Sequence, residues 1–388
     1  MNYKNTPIVV VAYNRPRSLE RLLGSLKKAI FLKNNIDLII SIDKATNNED
    51  VLEIANNFIW DYGTKKVNYQ AKNLGLKTHI LQCGNISQEY GSVIVLEDDL
   101  YVAQNFYKYT TEALEFSQDK KKIGGISLYN HQLNVNTFSN FQALDDGFDN
   151  WYFQFASSWG QAWTKTQWSE FISWYKEKPD ITQNFNIPAY IRSWSKKSWL
   201  KYNISYLIEN NLYFLYPKIS LSTNFSDAGT HVGQDSTMYQ VPLDLSKNKN
   251  YKFSNLNESN AIYDSYFENT KISKELNLQS EELSVDLYGY KNNFDTKYLL
   301  SSQILNFKIM ESYGRSLKPI DANIIEKIQG EEFFLYNTQI KETNSFSYDD
   351  KRRLLYNFKY IKSKDVSYIV KIELRRKIQK IYDILFKW

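Results

Sequence analysis

Within the first 130 residues, short apolar runs alternate with stretches of helical spacing, and this alternation constrains the fold more tightly than any other feature of the chain. Pro7-Ile8-Val9-Val10-Val11-Ala12 is apolar throughout and ends in a polar turn, the pattern of a strand buried on both faces. Ser18 to Ala29 follows, with Leu19, Leu22, Leu23 and Leu26 on one helical face. Asp37 to Ile42 is a second such strand, with a helical stretch around Val51 to Trp60 after it. Val67 to Gln70 is a weaker third strand and Ser92 to Leu96 a strong fourth, leading to a helix from about Asn105 to Phe116. Strands separated by helices of this length predict right-handed βαβ units. The expected class is α/β, with a Rossmann-like, mostly parallel central sheet.

Beyond that stretch the pattern changes. Seven of the nine Trp fall between Trp151 and Trp199. Residues 245 to 300 are polar and rich in Asn and Ser, which reads as a linker or irregular connection, and from about Tyr298 the spacing reads as helical to the end. At 388 residues one large domain with an appendage is expected. The division predicted is 1–245 for the α/β domain, 246–297 for the connection and 298–388 for a mainly helical C-terminal region. No internal repeat is found.

Composition excludes several classes. Apolar residues make up 43% and charged residues 23%, ordinary values for a globular protein. The single cysteine, Cys83, rules out an internal disulfide framework and fits a reducing compartment. Ile8 to Ala12 is too short for the core of a secretory signal, and nowhere do about 18 apolar residues follow one another. A cytoplasmic location is expected, with any membrane attachment peripheral, at the inner face of the cell membrane. The net charge of +5 is unevenly placed: Lys351 to Trp388 holds 12 Lys and Arg against 3 Asp and Glu, and the remainder is mildly acidic. That distribution points to an anionic surface met by the tail and away from a nucleic-acid-binding core.

The chemistry centres on Glu97-Asp98-Asp99, directly after the fourth strand. In open α/β sheets ligands bind beyond the carboxyl ends of the strands. Three carboxylates there repel one another unless they are solvated or bound to a cation, and Mn²⁺ or Mg²⁺ suits hard oxygen ligands completed by substrate phosphates. An acidic surface turn is the plain alternative. Asp43, at the end of the second strand, is placed to accept hydrogen bonds from a base or ribose. Arg15, in the turn after the first strand, is placed to grip a diphosphate with a bidentate fork. Each alone reads more readily as an ordinary loop charge, but all fall at strand ends of one sheet.

In order, the chain carries Ile8-Val9-Val10-Val11-Ala12-Tyr13-Asn14-Arg15-Pro16, Ser41-Ile42-Asp43, Asn73-Leu74-Gly75-Leu76, and Val95-Leu96-Glu97-Asp98-Asp99-Leu100 followed by Asn105-Phe106-Tyr107. Ile126-Ser127-Leu128-Tyr129-Asn130, Ser158-Trp159-Gly160-Gln161-Ala162-Trp163 and Asp227-Ala228-Gly229-Thr230-His231 follow. This series, over residues 6 to 240, resembles the inverting GT-A glycosyltransferases related to the Golgi N-acetylglucosaminyltransferase that initiates complex N-glycans, and their bacterial relatives. The resemblance implies a metal-dependent transferase of the hexosyl or N-acetylhexosaminyl type, acting in polysaccharide biosynthesis. It would move a sugar from a nucleotide-diphosphate donor, a UDP-sugar by expectation, to a surface-glycan or lipid-linked oligosaccharide acceptor. It implies that Asp99 ligates the metal, and that Glu97 and Asp98 contact the ribose or order the site. Ala12, Tyr13, Arg15 and Asp43 would hold the nucleotide. His231 would close over the donor or line the acceptor side; a packed or capping histidine is the other reading. Trp159 and Trp163 are candidates for an acceptor wall, since aromatic faces stack on sugars, although large Trp side chains commonly fill cores.

One departure bears on mechanism. Inverting transfer needs a carboxylate base for the acceptor hydroxyl, and the position that carries it in the family falls on Ser195, within Ser193-Trp194-Ser195-Lys196-Lys197-Ser198-Trp199. Asp180 and Asp235 are the candidate substitutes. A catalytically degenerate protein that binds nucleotide or glycan without turnover is the alternative. A nucleotidyltransferase is a third reading, but Tyr13-Asn14-Arg15-Pro16 is not the Gly- and Lys-rich loop which that class needs. The last predicted helix sets Val370, Leu374, Ile378, Ile381, Leu385 and Trp388 in one stripe flanked by Lys371, Arg375, Arg376, Lys377 and Lys380. Residues 366–388 can thus lie on an anionic membrane surface, pack on the catalytic domain or dimerise.

Overall fold

The computed structural model describes residues 3–31, 35–178, 187–225, 227, 238–247, 249–291, 295–347, 353, 356–357 and 362–386. The chain begins with β1 (Ile8–Ala12), α1 (Pro16–Lys27), β2 (Leu38–Ile42), α2 (Glu49–Asn57), β3 (Lys65–Tyr69), α3 (Leu76–Gly84), α4 (Ser87–Tyr90) and β4 (Ser92–Glu97). It continues through β5 (Leu100–Val102), α5 (Phe106–Ser117), β6 (Ile123–Ser127), a small hairpin of β7 (Leu133–Asn134) and β8 (Ser139–Asn140), and β9 (Asn150–Phe153). After β10 (Gln161–Thr164) come α6 (Lys165–Glu177), α7 (Ala189–Arg192), α8 (Trp199–Glu209), β11 (Tyr213–Pro217), β12 (Ser222–Asn224) and β13 (Ile262–Tyr263).

One sheet organises this part, in the order β13-β9-β11-β6-β10-β4-β1-β2-β3. β1 is parallel to both β2 and β4, and β2 is parallel to β3. β10 runs antiparallel between β4 and β6, so β6 and its parallel neighbour β11 point the same way as β4. The carboxyl ends of β1, β2, β3, β4, β6 and β11 therefore share one edge of the sheet. Every residue of β1 and β2 is buried, which explains why both are apolar but for Ser41, whose hydroxyl is hydrogen-bonded to His79 Nε2 at 2.7 Å. Leu19, Leu22, Leu23 and Leu26 of α1 pack on one face with Phe106, Ala113 and Leu114 of α5. Ile80 of α3, Trp168 and Phe171 of α6 and Leu207 of α8 cover the other. The α/β class and the mostly parallel sheet are as the alternation predicts.

Two expectations for the C-terminal third are corrected. Residues 246–297 are not a loose connection: β13 joins the edge of the main sheet beside β9, and Tyr251, Phe253 and Leu256 pack against the first core. Nor is the region after Tyr298 mainly helical. After α9 (Ile272–Glu275), β14 (Leu283–Asp286), β15 (Tyr298–Ser301), β16 (Phe307–Tyr313), α10 (Ala322–Ile325) and β17 (Phe333–Lys341) follow, and the four strands form a second sheet in the order β14-β15-β17-β16. Its residues alternate: Phe333 and Leu335 face one cluster, Phe334 and Tyr336 the other. That is period two, which a short apolar run disguises as helical spacing. The second sheet is tied to the first unit through Asp321, which accepts from Tyr263 Oη at 2.7 Å and Asn269 Nδ2 at 3.0 Å, and through the Lys291–Asp264 ion pair at 3.1 Å. The terminal helix α11 (Ser363–Phe386) is as predicted in type, and Val366, Ile369, Val370, Leu374 and Ile378 on it are exposed. No helix among the described residues is long and apolar enough to cross a membrane.

Candidate functional site

Register brings the predicted strand-end residues together. Val11 of β1 pairs with Glu97 of β4, and Ala12 with Ile42 of β2. The ladder is extended by one residue on each side: the Asp98 amide donates to Val11 O at 3.0 Å and the Asp43 amide to Ala12 O at 2.9 Å. Asp43, the Ala12-Tyr13 backbone and Asp98 thus form one row at the carboxyl edge.

Arg15 closes that row. It is the residue before α1, whose first position is Pro16, and its side chain makes no cap hydrogen bond. Its guanidinium instead reaches the acidic trio, with Nη1 donating to Asp99 Oδ2 at 2.9 Å and Nη2 to Asp98 Oδ1. Asp98 is buried, and its Oδ2 accepts from the Tyr13 amide at 3.3 Å. Burial pushes its carboxyl up to about 6 against the pull of Arg15. Glu97 is pushed well above the usual carboxylate range by burial and by the charges of Asp99 and Asp98. One oxygen each of Glu97 (Oε1) and Asp99 (Oδ1) is out of solvent with no hydrogen-bond partner. Three acids with one bound guanidinium leave negative charge uncompensated.

Whether this cluster fits a divalent ion turns on those oxygens. Hard carboxylate donors are the right chemistry, and an orphaned Asp99 oxygen has capacity for a cation shared with phosphate oxygens. Among the described residues no three His, Cys, Asp or Glu side chains converge as a ready-made cage. A site of one or two carboxylates completed by substrate is the kind that Mg²⁺ and Mn²⁺ use with nucleotides.

Asp43 is spoken for by backbone. Its Oδ1 accepts from the amides of Lys44 at 3.0 Å and Leu74 at 2.8 Å, and its Oδ2 from Gly75 at 3.0 Å. It holds the Asn73–Gly75 turn against β2, where Gly75 sits at φ +73°, a conformation that favours glycine. Asn48 went unrecognised in the sequence. It precedes α2 where a capping side chain is expected, yet it makes no cap bond. Its Nδ2 instead donates to Tyr13 O and Asp43 O, both at 2.8 Å, lacing β1 to β2.

A second ion pair borders the site. Asp227 accepts from Ser18 Oγ at 2.7 Å and from Arg21 of α1, and Arg21 also lies 3.8 Å over the Phe225 ring. The Phe225 amide donates to Asp99 O at 3.0 Å. The segment entering Asp227-Ala228-Gly229-Thr230-His231 is therefore anchored on the acidic turn itself. His231 and Asp235 lie outside the described residues, as does Asp180.

The aromatic candidates separate. Trp159 is half-buried, with Tyr129 at 4.6 Å, Tyr239 at 4.8 Å and His131 at 5.5 Å between ring centroids. Trp163 is corrected: fully buried, it packs on Trp168 at 4.7 Å and on Trp199, so it is core and not an acceptor wall. Ser195 is exposed in a turn, and its hydroxyl accepts from the Lys197 amide at 3.1 Å. The buried Lys201 ammonium fixes this turn by donating to the carbonyls of Arg192 and Trp194.

No family model and no curated protein matches the chain. Among solved structures, a mannosyltransferase of Pyrobaculum calidifontis, in complex with GDP-Man and Mn²⁺, is similar over 42% of this chain and 45% of that one, at 10% identity and a TM-score of 0.30. Residues 1–349 of TarS from S. aureus are similar over 55% of this chain and 60% of that one, at 14% identity and a TM-score of 0.32. The chain thus matches less than two thirds of the length of either.

Proposed function

We propose that the chain is a metal-dependent glycosyltransferase that moves a sugar from a nucleoside diphosphate donor to a surface-glycan or lipid-linked acceptor with inversion. The observation that carries this is the trio Glu97, Asp98 and Asp99, set by strand register beside Arg15 and the Tyr13 backbone at the carboxyl edge of a parallel sheet. Asp99 would hold Mn²⁺ or Mg²⁺ together with donor phosphates, and the ion would offset the charge that gathers on the departing diphosphate. Arg15, freed from Asp99 once a cation is there, has the planar fork that grips phosphate oxygens. Asp98 holds the β1 turn through the Tyr13 amide and orients Arg15. Asp43 shapes the Asn73–Gly75 turn that borders the nucleotide. The donor favoured is a UDP-sugar. The basic helix α11 would set the enzyme on an anionic leaflet, where a lipid-linked acceptor is reached.

The test is calorimetric titration with UDP, GDP, CMP and dTDP, each with Mn²⁺ and then with excess chelator. Binding of one nucleotide that needs the metal, and that Asp99→Ala abolishes while its thermal unfolding stays cooperative, is the expected result. A folded Asp99→Ala with normal metal-dependent binding removes the metal assignment. A second reading, a protein that binds donor or glycan without turnover, draws on Ser195, whose exposed hydroxyl in a turn is no base for an acceptor. Nucleotide binding with no hydrolysis or transfer from any matching sugar donor would favour it.

A further inference from the structure

Along the same edge of the main sheet, past the ends of β6 and β11, lies a cavity of about 840 Å³ between the two sheets. Its basic wall is formed by Lys218 after β11, Arg315 and Lys318 from the loop after β16, and Arg353. Among the described lining residues there is no Asp or Glu. The amides of Gln132 and Gln142 and the rings of Tyr288 and Tyr356 supply the rest of the character of the wall.

Two of these cations are partly desolvated. The Arg315 guanidinium lies 4.7 Å over the Phe333 ring, its Nε is buried without a partner, and it faces the charge of Arg353. Burial and that like charge pull it below its ordinary range. Lys218 is pulled down by burial; its ammonium donates to Leu144 O and lies 3.5 Å from the largely exposed Asp145, with the charges of Asp146 and Asp321 opposing the effect of burial from further off. His131 lines the cavity as well, 3% exposed, with Nε2 buried and unpartnered. The same ring touches Trp159, which lies on the side of the strand-end cluster. Clustered, partly desolvated cations with no lining carboxylate favour an anion, and an Arg fork favours a phosphate or carboxylate. Exposed amides and aromatic edges suit sugar hydroxyls and ring faces, and pockets of roughly 300–1,000 Å³ hold small ligands.

We infer that this cavity binds a saccharide carrying a phosphate or carboxylate group. That it seats the acceptor rests on the transferase reading above; that it binds an anionic sugar does not.

The test is calorimetry on the full chain with glucose 6-phosphate, glucuronic acid, glucose and inorganic phosphate, beside the nucleotide titrations. At least one of the two anionic sugars should bind ten or more times more tightly than glucose and than inorganic phosphate, and which one does so identifies the anionic group. Lys318→Gln, at an exposed position where folding is not at stake, and Arg315→Gln should each weaken that binding about tenfold and leave nucleotide binding unchanged. Anionic sugars binding no better than glucose or phosphate, or both variants binding as the parent does, overturn the inference. Loss of nucleotide binding in the variants also overturns it, by making the cavity the nucleotide's seat. If anionic sugars bind as expected and no nucleotide does, the cavity stands and the transferase reading falls.

Discussion

His131 shows how one buried side chain sets a pH dependence. It is enclosed by the rings of Tyr129, Phe153, Phe155, Trp159, Tyr216 and Phe267, and burial holds its imidazole down to about 3 from an ordinary 6.5. In the unfolded chain the same ring protonates near 6.5. Between those values the unfolded state takes up a proton that the folded state refuses, so stability is full above 6.5 and falls as pH drops. The slope from this residue alone is about 1.4 kcal/mol per pH unit. Urea unfolding at pH 7, 6 and 5 should show His131→Phe losing less stability with acid than the parent by about that slope. Parallel curves would mean the ring is charged or solvated in the folded protein. Arg15 and Asp98 show the complementary case, where a charge is kept in a buried place because an opposite one is bound to it.

At the scale of elements, packing of α3 against α6 decides how the second face of the sheet is covered. Gly84 ends α3, and a Cβ there would run into the Trp168 ring of α6. The indole is fixed as well by its hydrogen bond to Asn85 Oδ1 at 2.8 Å, so it cannot simply rotate away. Gly84→Ala should therefore destabilise by about 2 kcal/mol, an overpacking cost, read as a lower denaturant midpoint with an unchanged m-value. Equal midpoints would show that the α3–α6 seam yields. α6 itself starts with a complete capping box, in which Thr164 Oγ1 accepts from the Gln167 amide at 3.2 Å and Gln167 Oε1 from the Thr164 amide at 3.0 Å. Its start is thereby independent of the seam.

For the whole molecule, α11 contrasts with everything before it. Its described apolar residues are exposed, while most of those of α1, α5 and α8 are buried. Basic residues crowd the same helix, Arg375, Arg376 and Lys377 among them. A chain ending before Ser363 should keep its thermal midpoint and its nucleotide binding. It should lose at least tenfold in binding to vesicles of anionic lipid, with neutral vesicles bound weakly by both forms, since each basic residue near such a surface contributes about 1 kcal/mol. Unchanged vesicle binding would turn attention to a packed or dimerising helix.

Much of the α/β unit was legible because strands buried on both faces must be almost wholly apolar, and few other elements look like that. β1, β2 and β4, and the helices α1, α2 and α5 after them, lie within a few residues of where the runs and spacings put them. The acidic trio was legible for the same reason, since carboxylates directly after a buried strand have one place to be. What tertiary structure alone decided was which groups meet. Nothing in the local pattern around Arg15 says that it binds Asp98 and Asp99, or that Asn48 abandons its helix cap to lace two strands. Trp163 and Trp159 stand four residues apart in one Trp-rich stretch, yet only the sheet assigns the first to the core and leaves the second half-open. The second sheet was hidden because period two in short aromatic runs is indistinguishable from helical spacing until the strands pair. The cationic cavity was hidden because Lys218 lies about a hundred residues from the loop that carries Arg315 and Lys318, and their shared charge exists only once both sheets are folded.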